Sequence, residues 1–77
     1  MYKLLDTVAL THDIAEAGLR RGDLGAIVEL LAPDAMEVEF VAASGRTQAV
    51  LTLHAEDIRH VGDRDVIAVR TLEGAEG

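Results

Sequence analysis

The chain has 77 residues, 14 of them acidic and seven basic, for a formal net charge of −7. Such a field repels nucleic acid at long range and lacks the basic footprint that DNA- and RNA-binding domains carry, so no nucleic-acid partner is expected. There is no cysteine, which removes disulfides, thiolate zinc sites and cysteine nucleophiles together. A domain this short must then rest on its apolar core, which 49% hydrophobic residues make feasible.

At the amino terminus the apolar run stops at Asp6, too early for a secretory signal. No segment approaches the roughly 18 uncharged apolar residues of a membrane span. The expectation is a soluble, cytoplasmic protein without membrane contact.

The pattern along the chain is β almost throughout. Asp6 to Thr11 predicts a first strand, with Val8 and Leu10 on one face and Thr7, Ala9 and Thr11 on the other. His12 to Asp23 is polar, carries two glycines near its end and predicts a long ordered loop, with room for one helical turn around Ile14 to Ala17. Leu24 to Leu31 is a second strand, and Ala32-Pro33-Asp34-Ala35 a turn with proline preset for its second position. In the third strand Met36, Val38, Phe40 and Ala42 alternate with Glu37, Glu39 and Val41, the pattern of a half-buried antiparallel strand.

Ser44-Gly45 marks a tight hairpin. The fourth strand, Arg46 to Leu53, sets Ala49, Leu51 and Leu53 on one face against Gln48 and Thr52 on the other. His54 to Asp57 predicts a short helical or 3-10 turn. Ile58 to Val61 and Val66 to Val69 flank Gly62-Asp63-Arg64-Asp65 as two further strand candidates around a final turn. Residues 73–77 are small, acidic and glycine-rich, and a disordered tail is expected there. Five or six short antiparallel strands with one long early loop predict an all-β, small, partly open barrel as a single domain over residues 1–72.

The run Gly18-Leu19-Arg20-Arg21-Gly22-Asp23-Leu24-Gly25-Ala26-Ile27-Val28-Glu29 resembles an SH3-like barrel of the KOW type, where a glycine-aspartate turn leads into a strand through a second glycine. Gly22 and Gly25 permit a sharp turn or close packing beneath the barrel, and Asp23 suits a hydrogen bond to the turn's own backbone. With Leu4-Leu5-Asp6-Thr7-Val8, Glu37-Val38-Glu39-Phe40-Val41 and Leu51-Thr52-Leu53 added, the chain resembles the bacterial domain of unknown function 4926 over roughly residues 3–61. That resemblance implies an SH3-like barrel. Some members look like companions of toxin-like proteins, which implies an immunity or antitoxin role. The glycine-aspartate turn is also similar to the barrel domain of nitrile hydratase β-subunits, which implies an alternative role as a structural accessory or assembly subunit of a larger enzyme.

Candidate chemistry is thin. Ser44 is the only serine, and it sits at the hairpin tip, where serine shapes the turn. His12, His54 and His60 have no metal-ligand spacing and are expected to be surface histidines with ordinary titration. Glu37 and Glu39 point the same way from the third strand, but a glycosidase-like pair also needs a cleft and stacking aromatics. One tyrosine and one phenylalanine cannot supply them. With Phe40 in the core, Tyr2 alone is left for an aromatic groove, so proline-rich peptides and stacked bases are not expected ligands.

The expectation is therefore a non-enzymatic protein-binding module with no catalytic, metal or cofactor site. Its candidate contact residues are the acidic pair Glu37 and Glu39 and the basic pair Arg20 and Arg21. The open strand edges and the surplus of apolar residues in Ala26 to Leu31 leave homodimerisation open.

Overall fold

The computed structural model describes residues 1–72. Five strands form one antiparallel sheet: β1 (Thr7–Leu10), β2 (Leu24–Leu31), β3 (Ala35–Val41), β4 (Thr47–His54) and β5 (Ile58–His60). Their spatial order is β4-β3-β2-β1-β5, so the chain meanders through four strands and returns to pair β5 with β1. This is an all-β, SH3-like barrel. Among the described residues no ladder joins β4 to β5, and the barrel stays partly open. Two 3-10 turns, Ala15–Ala17 and Ala55–Asp57, occupy the connections. No helix among the described residues is long and apolar enough to cross a membrane.

The core follows from the period-2 pattern, because alternate residues of each strand share a face. Val8 and Leu10 of β1, Ile27 of β2, Met36, Val38 and Phe40 of β3, Leu53 of β4 and Ile58 of β5 are buried together. Leu19 completes the cluster from the early loop. Ala9, on the opposite face of β1, is buried as well. The segment from Val61 to Ala68 lies over it, with Ala9, Leu24 and Ile67 lining one shallow pocket.

Two glycines do what their spacing in the sequence suggests, by different means. Gly22 has φ +91° in open space, so it serves the turn through its backbone. Gly25 is buried, and a Cβ there would lie 2.7 Å from Val38 Cγ1, 2.9 Å from Phe40 Cε2 and 3.0 Å from the Glu39 carbonyl oxygen. The missing side chain is what lets β3 and the Phe40 ring pack directly on β2.

Two details differ from the sequence pattern. Residues 66–69 form no strand, and Val66 and Val69 are almost fully exposed. A side-chain anchor at Arg70 holds this segment in place of a ladder. Gln48 does not share a face with Thr52. The register passes from Phe40↔Ala49 to Val41↔Thr47, so Gln48 is the extra residue of a bulge and its amide donates to the Ala17 carbonyl at 3.2 Å. At the β2–β3 turn, where the sequence presets proline for the second position, the Ala32–Pro33 peptide is cis. A second bulge at Val28, between Ile27↔Val38 and Glu29↔Glu37, adds further twist to the curling sheet. The expected tail at 73–77 lies outside the described residues.

Candidate functional site

Strands β2, β3 and β4 together carry three glutamates and no lysine or arginine. All three glutamates lie on the outer face. Glu37 and Glu39 alternate with the buried Met36, Val38 and Phe40, and Glu29 is directly opposite Glu37 across the β2–β3 ladder. The Thr52 hydroxyl donates to Glu37 Oε2, and the Thr47 hydroxyl donates to Glu39 Oε2 at 2.6 Å. Both acids are thereby held against β4 with a second carboxylate oxygen available. Val50 is directly opposite Glu39, and Val28, Val41 and Val50 remain 41%, 50% and 51% exposed. The surface is acidic with apolar side chains set between the charges.

Arg20 and Arg21 belong to the glycine-aspartate turn. Asp23 accepts from the Arg20 backbone amide at 2.8 Å, and its own amide donates to the Arg20 carbonyl at 2.9 Å. The Arg21 amide donates to Asp13 Oδ1 at 2.8 Å. Asp23 also receives Arg70 as a fork, Nε donating to Oδ1 at 2.9 Å and Nη2 to Oδ2. The same Nη2 donates to the Gly18 carbonyl at 3.0 Å. Burial pushes the Asp23 carboxyl up, but the Arg70 guanidinium and the Arg20 amide more than reverse this and hold it below its ordinary value. The sequence suggests the turn; it gives no sign of Arg70, 47 residues away.

A third feature lies along β4. The early loop runs beside Leu51, Thr52 and Leu53, leaving a shallow groove of about 300 Å³ whose lining includes Ile14 and the acids Asp13, Glu16 and Asp57. The lining also holds an ion pair, His12 Nε2 to Asp57 Oδ1 at 2.8 Å. His12 Nδ1 faces the Asp13 carbonyl oxygen at 2.9 Å, so both ring nitrogens meet acceptors. The bond to Asp57, then the Asp13 carbonyl, raise the His12 pKa. The His54 amide, then His12, lower that of Asp57. His12 is a surface histidine, but its titration is not ordinary, because the fold brings Asp57 to it from 45 residues away.

The other aromatic and polar candidates have structural duties. Tyr2 does not offer a free ring. It packs against the core, stacks on His60 at a centroid distance of 4.2 Å and donates from its hydroxyl to the Ile58 carbonyl at 3.3 Å. Ser44 Oγ accepts from the Arg46 amide at 3.3 Å within the hairpin. Among the described residues no three His, Cys, Asp or Glu side chains form a group that could hold a metal ion.

Neither the curated proteins nor the solved structures provide a match to this chain. A family model does, across residues 4–60, which takes in all five strands, the glycine-aspartate turn and the glutamate face. The chain belongs to the family described as domain of unknown function DUF4926.

Proposed function

We propose that this protein is a small, non-enzymatic, cytoplasmic module that binds a basic surface of a partner protein. The observation that carries the reading is the outer face of β2, β3 and β4, with Glu29, Glu37 and Glu39, three exposed valines and no cation on these strands. Like charges directly opposite one another, as at Glu29 and Glu37, cost stability in a free sheet. A basic partner offsets that cost, and the interspersed valines add apolar area at its contact. Such a field also speeds encounter with a positively charged partner and is screened by salt.

Within this reading the partner is the product of an adjacent gene, neutralised or escorted as by an immunity or antitoxin protein. Co-expression with that product tests it. A complex that forms at about 50 mM salt and weakens at least tenfold at about 1 M supports the reading. A complex indifferent to salt contradicts it, and so does no complex at all. DNA and RNA are not retained at about 50 mM salt; retention there contradicts the reading too.

A further inference from the structure

The two edges of the sheet are unlike. β5 is three residues long and carries Arg59 and His60, whereas β4 is eight residues long and has no Asp, Glu, Lys, Arg or Pro. Charged side chains, proline and shortness are the usual means by which edge strands avoid pairing with other chains. β5 has two of them; β4 has none of the three and is flanked instead by the early loop, through the Gln48 amide on the Ala17 carbonyl, and by Asp57, which takes the His54 amide at 2.9 Å. A bulge does interrupt β4, but at Gln48, near one end, leaving Ala49 to His54 in regular register with β3. Among the described residues no strand pairs with the free edge of β4.

Beside that edge runs the groove between Leu51, Leu53 and Ile14, with Asp13, Glu16 and Asp57 in its lining. We propose that β4 is a docking edge that takes an extended basic segment of the partner as a sixth strand. The inference rests on the protein-binding reading above and specifies how the partner is held. In an added strand, side chains alternate between the two faces of the sheet. One set enters the groove, where Ile14, Leu51 and Leu53 are apolar and Asp13 and Glu16 are acidic, Asp57 being engaged by His12. The other set lies on the outer face beside Val50 and Thr52, within reach of Glu37 and Glu39. Backbone hydrogen bonds supply affinity, and the lysines or arginines of the segment supply specificity.

Charge selects the occupant. A second copy paired edge to edge would bring two chains of net charge −7 together and align their glutamate faces. A basic segment meets the opposite situation on both faces.

The test uses isotope-labelled full chain titrated with a blocked eight-residue peptide of alternating valine and lysine. Expected are amide shift changes at residues 47–54 and 12–16. A proline at the peptide's centre weakens binding at least tenfold, and glutamate in place of lysine abolishes it. Val50→Lys, at a half-exposed position where the fold tolerates a long side chain, also weakens binding at least tenfold with its thermal midpoint retained. No shift at about 1 mM peptide overturns the proposal. So do shifts confined to β2 and β3 that the proline peptide reproduces, although these would leave capture by the acidic face standing. Shifts at 47–54 that depend on protein concentration alone assign the edge to a second copy and overturn the basic occupant.

Discussion

At the scale of single residues, Gly25 and Asp23 hold the barrel's entry together by unrelated means. Alanine at Gly25 forces its methyl against Val38, Phe40 and the backbone of Glu39, of which the backbone cannot give way. An overpacked site of this kind costs about 1–3 kcal/mol, and chemical denaturation of Gly25→Ala measures it. At Gly22 there is room for a methyl, so Gly22→Ala loses only the conformational term of about 1–2 kcal/mol. Asp23 is 18% exposed and Arg70 25% exposed, which keeps their fork from being fully screened. Asp23→Ala should cost about 2 kcal/mol, in the range of charge-assisted hydrogen bonds. The same variant should release the segment before Arg70, seen as a fall in backbone order parameters over residues 66–70. Unchanged order parameters there would mean that packing around Ala9, not the fork, holds the segment.

At the scale of elements, the strands were legible because their periodicity is local, and the ties between elements were not. The alternation in β3 gives both its core face and the direction of Glu37 and Glu39. The segment from Val66 to Val69 has the composition of a strand yet forms none, because β-branched residues make a strand only where a neighbouring edge accepts them. The Gln48 bulge is not legible in the sequence, because an extra residue leaves no mark on an apolar alternation. The pairings His12–Asp57 and Asp23–Arg70 join residues far apart in the chain, and nothing in either segment alone announces them.

The tie between the early loop and the Ala55–Asp57 turn carries a pH dependence. His12 has a raised pKa, so its contribution is complete below the ordinary 6.5 and is lost as pH rises through the raised value. Asp57 has a lowered pKa, so its contribution is complete above the ordinary 3.8 and is lost as pH falls through the lowered value. The ion pair therefore contributes most between those two ordinary values. His12→Gln should flatten the alkaline limb of a plot of thermal midpoint against pH and leave the acid limb, to which Asp23 and Asp65 also contribute, in place. An unchanged alkaline limb would show that the pair does not couple the loop to the turn.

At the scale of the whole molecule, the charge is not spread evenly. Seven cations are present, and none lies in β2, β3 or β4. Arg59 is engaged with Asp65 at 3.1 Å and Arg70 with Asp23, so part of the positive charge goes into fastening the carboxy-terminal segment. Glu37 and Glu39 are held by threonine hydroxyls, which orient a carboxylate without neutralising it. The result is a sheet face that keeps its charge. The acidity of the chain was plain in its composition, and the direction of Glu37 and Glu39 in the β3 pattern. That Glu29 joins them depends on the Val28 bulge, which sets Glu29 opposite Glu37.

Capture by the glutamate face is tested most directly by calorimetric titration of the adjacent-gene product into the wild-type protein and into Glu37→Gln/Glu39→Gln, each at about 50 mM and about 1 M salt. The substitutions keep shape and hydrogen bonding and remove two charges, so the fold is retained. At low salt the double variant binds at least tenfold more weakly, and the two proteins converge at high salt. Equal affinities at low salt, or no binding by the wild-type protein, would contradict capture by that face.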